Sequence, residues 1–369
     1  MKALLKKTCL LVVTILVSLL ALEIALRLRP PAAQPNPAAD RGAMFYLQAP
    51  EREHPWSRGA TNVLRIAVIG DSFTEGSGVQ CDDRYGVRLE RMLNLNTGVP
   101  PAEVLIVAKS GTATFQQTEL LAQALAWEPD VVVLGICLND TEDSTHPQQL
   151  KRWRAEWMPR APAGITSFWI QHSRLAALGS ARFWALTSAR RCVRYYRHLY
   201  DPAGAGILRM QGAIGHFRDE CAARGAAFVP VVWPLLSFDF SPGRYPLQFA
   251  HEAIHRICRE AQVPCLDLLP AFQGTIPKRM EVVPGIDPHP SEIAHRLAAE
   301  AIVRYLVVQG FIDPGYRFVE RPNDLQKRLM WENTARHIAF RPKITPEDLA
   351  AMGGDVRANI EALRQEPEE

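Results

Sequence analysis

The chain has 369 residues, 47% hydrophobic and 22% charged, so it can bury an ordinary core and is neither fibrous nor disordered by composition. Its net charge of +3 is too small to point to nucleic acid, and no nucleic-acid partner is expected. Seven cysteines without a Cys-x-x-Cys pair exclude the usual zinc and dithiol-redox spacings.

Lys2, Lys6 and Lys7 precede an uncharged run from Thr8 to Leu22. Glu23 interrupts it, and Ile24-Ala25-Leu26 resumes before Arg27 and Arg29. As a helix, residues 8–26 span about 28 Å, close to a hydrocarbon thickness of about 30 Å. Glu23 falls near the far interface, where a carboxylate costs much less than at mid-bilayer. Residues 1–29 are expected to form a signal anchor, a transmembrane helix that stays attached. The competing reading is a cleaved signal peptide, but no small-x-small site directly follows the apolar run, and Arg27-Leu28-Arg29 is a poor processing context. Three lysines before the run against two arginines after it set the bulk of the chain outside the cytoplasm, in a periplasmic or extracellular location. Residues 30–61 are a linker and lead-in, stiff from Pro30 to Pro37.

Residues 63–69 read as a first strand, 85–95 as a helix with Leu89, Met92 and Leu93 on one face, and 104–108 as a second strand. A helix over 115–127 leads to a third strand over 131–136, a continuous apolar run as expected for a strand covered on both faces. Residues 141–205 break the rhythm and read as a helical insertion. Between 150 and 200 the chain holds ten lysines and arginines against Glu156 alone. That stretch is either a solvated helix face or a surface for anionic lipid or an acidic polymer. A helix over 206–224, a strand over 227–233, a helix over 247–261 and a short fifth strand over 265–268 follow. Pro290 suits the first turn of a helix over 290–309, with Gly310 as its stop. Residues 311–369 form a polar C-terminal tail with one more helix. The alternation predicts an α/β domain over 62–310, with a doubly wound parallel sheet of about five strands. Cys258 and Cys265 bracket a helix-to-strand turn and are placed to bridge in an oxidising compartment. Cys137 reads as a small buried hydrophobe.

Chemistry-bearing residues follow the strand ends. The first strand stops at Gly70-Asp71-Ser72, delivering a hydroxyl to the carboxyl edge where open α/β sheets bind ligands. Acyl transfer needs a nucleophile, a base, a group to orient that base, and donors for the oxyanion. Ser72 is the candidate nucleophile and His289, in a loop past the last strand, the candidate base. Asp287, two residues earlier, is the candidate orienting acid, with Asp267 and Asp313 as alternatives. Gly111, after the second strand, lets a backbone N–H approach a ligand closely, and the Asn139 amide, after the third, can donate to the same oxyanion. Asp71 and Asp140 read as loop braces, and His295 as structural.

Taken in order, Gly70-Asp71-Ser72, Gly111, Asn139-Asp140 and Asp287-Pro288-His289 resemble the SGNH family of GDSL-type hydrolases. The resemblance covers residues 62–310 without the inserted helices. It implies a three-layer α/β/α flavodoxin-like fold and a Ser72–His289–Asp287 triad. It also implies an oxyanion hole from the Ser72 N–H, the Gly111 N–H and the Asn139 side chain. The run from Gly70 to Gly76 and the ending from His289 to His295 look like members behind bacterial membrane anchors. Two spacings depart from the family: Gly135 lies four residues before Asn139 instead of two, and the acid lies two residues before the histidine instead of three.

The expected function is a membrane-anchored serine esterase that forms an acyl-Ser72 intermediate and deacylates an O-acylated envelope glycan or related ester. One alternative is an O-acyltransferase using the same triad to pass an acetyl group to a polysaccharide, which would need an acyl donor such as a membrane protein. Another is a silent glycan-binding protein. No cofactor is expected. His251-Glu252-Ala253-Ile254-His255 also matches the metalloprotease pattern His-Glu-x-x-His. The positions where the extended motif has its glycine and third histidine hold Cys258 and Ala261, so no metal site is expected there.

Overall fold

A computed structural model describes residues 2–28, 61–142, 168–169, 172–283 and 287–317. Residues 30–60 of the expected linker, the tail beyond residue 317 and most of the first half of the insertion lie outside the described residues. In chain order the elements are α1 (Lys2–Leu28), β1 (Leu64–Gly70), α2 (Ser72–Glu75), α3 (Tyr85–Leu93), β2 (Ala102–Ala108), α4 (Thr118–Leu125) and β3 (Val131–Ile136). Then come α5 (Arg174–Leu199), α6 (Ala205–Ala223), β4 (Ala227–Val232), α7 (Gln248–Glu260), β5 (Leu266–Asp267), α8 (Leu269–Phe272) and α9 (Pro277–Met280). β6 (Glu281–Val283), β7 (Asp287–Pro290) and α10 (Glu292–Val308) complete the order. The chain divides into two compact units: α1 with residues 141–209, and the sheet with the remaining elements.

The sheet is parallel and five-stranded, in the order β2-β1-β3-β4-β5. The cores of its central strands are apolar because both faces are covered: Ile66 to Ile69 and Val131 to Leu134 are fully buried. β2 starts two residues before the apolar run that marks it, because Leu64 of β1 already donates to the Pro101 carbonyl at 2.9 Å and pairs with Ala102. Helix α3 packs on β2 and α10, α4 on β1 and β2, and α7 on β4. The chain passes from β1 to β2 on one side and then returns to β3 on the other. The reversal between β1 and β3 is the topological switch point, the place where open α/β sheets bind ligands.

The last helix corrects the expected boundary. It begins at Glu292, with the Ser291 hydroxyl accepting the Ala294 N–H at 3.4 Å. Pro290 lies outside it, ending β7 and pairing with Glu281 in an antiparallel β6–β7 ribbon. A serine cap satisfies an orphan helix N–H, and proline is tolerated at a strand edge, so each residue takes the role its backbone favours. The expected loop around His289 is thus a strand.

The described cysteines are free thiols. Cys258 and Cys265 stand side by side unbonded, and the Cys258 thiol, then burial, raises the Cys265 thiol well above its ordinary range. The 27-residue α1 is, among the described residues, the one helix long and apolar enough to cross a membrane.

Glycines stand at the last position of β1 and the last but one of β3 for a packing reason. Thr74, on α2, folds back over the strand ends and shares a hydrogen bond with the Tyr85 hydroxyl at 2.9 Å. A Cβ on Gly70 would lie 2.1 Å from Thr74 Oγ1, and one on Gly135 would lie 2.6 Å from that atom and 2.8 Å from the Tyr85 oxygen. Gly135→Ala should lower stability by about 1–3 kcal/mol, the usual cost of overpacking. The urea midpoint checks this, and an unmoved midpoint would contradict the packing account.

Candidate active site

Ser72 is held by a turn fixed at both ends. The Asp71 carboxylate accepts the Phe73 N–H at 2.9 Å and caps α2. Gly76 closes it at φ +83°, a left-handed conformation that glycine adopts without strain. The N–H groups of Gly76 and Ser77 both donate to the Ser72 carbonyl at 3.0 Å. Ser72 is 9% exposed. As the first residue of α2, its own N–H has no intrahelical acceptor.

The structure brings His289 and Asp287 to this turn. His289 Nε2 lies 3.0 Å from Ser72 Oγ, and His289 Nδ1 lies 2.6 Å from Asp287 Oδ1. Asp287 Oδ1 also accepts the His289 backbone N–H at 3.1 Å. The unusual spacing works because both residues lie on β7, and in a strand side chains two apart share a face. Burial alone would raise the Asp287 carboxyl, but the His289 ring and backbone N–H outweigh it and hold the group below the ordinary carboxylate range. Phe73 buttresses the imidazole edge-on, with ring centres 5.7 Å apart.

Gly111 and Asn139 arrive from either side. β1 lies between β2 and β3, and Gly70 is level with Ala108 on one flank and Gly135 on the other. Gly111 sits three residues past β2, in a turn at φ +73°. Asn139, half-buried, sits three residues past β3. Asp140 ties the two loops together. Its carbonyl accepts the Thr114 N–H at 3.2 Å, and its Oδ2 accepts from Thr114 Oγ1 at 3.2 Å and Gln117 Nε2 at 3.3 Å. Burial, then the negative charge of Asp71, raises the Asp140 carboxyl well above its usual range. Asp71 is pushed up to about 6, chiefly by burial, against the Phe73 N–H and His289. Both aspartates therefore brace loops.

Other candidates go elsewhere. Asp267 Oδ1 meets His251 Nδ1 at 2.9 Å, its Oδ2 meets His255 Nε2 at 3.4 Å, and the Leu269 N–H donates to it at 2.9 Å. Burial would raise Asp267, but the two imidazoles hold it well below its ordinary range. The His-Glu-x-x-His segment thus ties α7 to β5, and Glu252 is exposed away from buried His251. No group of three metal-ligating side chains occurs among the described residues. Asp313 Oδ1 accepts the Gly315 N–H at 2.6 Å in its own turn. Neither alternative acid meets His289.

Behind the site lies a packed set in which Trp233 and Tyr85, which the motifs pass over, join His295, which the sequence marks as structural. Trp233, at the end of β4, is fully buried, and its ring meets Phe73 at 5.7 Å, Tyr85 at 5.5 Å and His295 at 5.8 Å. The signal for Trp233 is its place as the last residue of the strand expected over 227–233, which the structure ends at Val232. His295 stacks on Tyr85 and its Nδ1 accepts the Tyr85 N–H at 3.3 Å. Burial, then the charges of Arg88, Arg84 and His289, pushes His295 down from 6.5 to about 3. Between those values the unfolded chain binds a proton that the folded chain refuses, so this contribution is complete above pH 6.5 and is lost as pH falls toward 3. At about 1.36 kcal/mol per pH unit, the loss by pH 5 is about 2 kcal/mol. Chemical unfolding near neutrality and at about pH 5 should show the wild type losing that much more than His295→Gln. Equal losses would contradict a buried neutral imidazole.

A parallel sheet that presents a hydroxyl, an imidazole and a carboxylate in hydrogen-bonded series at its carboxyl edge defines a class, the serine hydrolases. The model of the GDSL-like lipase/acylhydrolase family matches residues 68–297, and the chain belongs to that family. No curated protein matches the chain. Among solved structures it is similar to TesA, at 14% identity over 67% of this chain and 99% of that one, with a TM-score of 0.42. It is also similar to a catalytic mutant of the acetylxylan esterase Axe2 from Geobacillus stearothermophilus, at 14% identity over 70% and 97%, TM-score 0.43. A third likeness is to the acetyl xylan esterase AlAXEase, at 13% identity over 66% and 100%, TM-score 0.41.

Proposed function

We propose that this serine ester hydrolase is membrane-anchored, forms an acyl-Ser72 intermediate, and removes an acetyl or other short acyl group from an envelope glycan or related ester. The observation that carries the reading is the series Asp287 Oδ1, His289 and Ser72 Oγ, with steps of 2.6 and 3.0 Å. Ser72 Oγ attacks the ester carbonyl while His289 Nε2 takes its proton. Asp287, kept ionised by the bonds it accepts, holds the Nδ1–H tautomer and steadies the imidazolium. The Ser72 N–H, the Gly111 N–H and the Asn139 amide stabilise the oxyanion. Collapse expels the alcohol, which takes the proton from His289. Water then enters by the same route, and the acid leaves with Ser72 restored.

The anchor is α1, whose apolar side chains from Leu10 to Leu22 are largely exposed. Lysines at its start favour a catalytic domain outside the cytoplasm. That location favours a surface glycan as the alcohol portion of the ester.

The purified chain should hydrolyse p-nitrophenyl acetate and release acetate from acetylated glycans. Ser72→Ala should abolish both, together with fluorophosphonate labelling; unchanged hydrolysis in that variant would end the reading. Asn139→Ala should lower kcat by about 10²–10³. Asp287→Asn should cost on the order of 10⁴ in kcat while Asp313→Asn costs nothing measurable. The reverse order in steady-state kinetics would reassign the acid.

A further inference from the structure

Glu23, the one acid inside the apolar N-terminal run, has a defined job. Its Oε2 accepts the Leu175 N–H at 2.8 Å and the Ser173 hydroxyl at 2.9 Å, and its Oε1 accepts the Arg174 N–H at 3.0 Å. These donors are at the first turn of α5, where backbone N–H groups have no intrahelical partner and the helix dipole favours a negative charge. The favour is returned at the other helix end. The Arg174 guanidinium donates to the carbonyls of Leu26 and Arg27 at 2.7 and 3.4 Å, in the last turn of α1. Arg27 bonds Glu23 at 2.8 Å and donates to the His172 carbonyl at 2.8 Å. Each helix caps the other, across about 150 residues of sequence.

This clamp sets a depth. Glu23 and Arg27 lie at the far end of a helix whose near end carries Lys6 and Lys7, so the clamp falls where hydrocarbon gives way to headgroups. Phe168 stacks on His172 with ring centres 4.2 Å apart and meets Trp169 edge-on at 5.8 Å. The Ser173 N–H donates to the Trp169 carbonyl at 2.9 Å. Both aromatics thus stand one turn from the clamp, and they are 52% and 57% exposed. An amphipathic Trp ring beside basic residues is the composition of a membrane interface, the neighbouring Phe168 adds apolar surface, and Arg182 and Arg190 are exposed further along α5.

We infer that the insertion is a membrane-interface element: the Glu23–Arg174 clamp fastens it to the outer end of the anchor and seats Phe168 and Trp169 in the headgroup layer of an anionic bilayer. The inference rests on α1 being the membrane helix. Its test uses the full-length chain carrying p-benzoylphenylalanine at position 168 or 169, in vesicles of phosphatidylethanolamine and phosphatidylglycerol. Irradiation should yield phospholipid adducts at both positions. Glu23→Ala and Arg174→Met should each reduce them several-fold, while p-nitrophenyl acetate hydrolysis persists and the chain still resists alkaline carbonate extraction. A carbonate-resistant wild-type chain with no adduct at either position overturns the inference and leaves the anchor standing. Adducts that ignore both clamp variants overturn the clamp. Extraction by carbonate overturns the anchor, and the inference with it.

Discussion

The close approach of Thr74 to the ends of β1 and β3 is the contact on which the site depends. It requires a bare Cα at Gly70 and at Gly135, because a methyl at either position would meet Thr74 Oγ1 within 2.6 Å. With those glycines in place, α2 can turn back over the sheet immediately after Ser72. Thr74 then reaches Tyr85, and Tyr85 packs on Trp233 and His295. Phe73, held between Trp233 and His289, carries this rigidity to the imidazole. The orientation of the nearly buried Ser72 hydroxyl is therefore decided by the packing around it.

Strand order does the rest. Since β1 is flanked by β2 and β3, the residues that follow those two strands are delivered to either side of whatever follows β1. Gly111 and Asn139 need no long loop to flank Ser72. The Asp140 bonds to Thr114 and Gln117 then lock the flanking loops to each other. A buried carboxyl is a costly brace unless it is hydrogen-bonded, and here burial and Asp71 keep Asp140 far from its ordinary titration.

Sequence pattern revealed the sheet well and the details of the last elements poorly. The run Val131 to Ile136 has no polar side chain, as expected for a short strand covered on both faces. Likewise Ser72, Gly111 and Asn139 each stand just past such a run. The β6–β7 ribbon was invisible, because Glu281-Val282-Val283 is too short to show a period, and its existence is what makes the Asp287-to-His289 spacing workable. The His-Glu-x-x-His match was legible as a motif but not as chemistry: only the fold shows that Asp267 occupies both imidazoles. Glu23 looked like a tolerated blemish in an apolar helix, since its partners are about 150 residues away and no local pattern announces them.

Asp287 and His289 share one short strand, and this reduces the number of independent parts in the site. An acid and a base carried on separate loops can drift relative to each other as well as relative to the nucleophile. Here the pair shares one face of a single strand and is joined by two bonds to one carboxylate oxygen. What remains is the 3.0 Å step from His289 Nε2 to Ser72 Oγ, which a displacement of the ribbon against the Ser72 turn would lengthen while Asp287 still holds the imidazole.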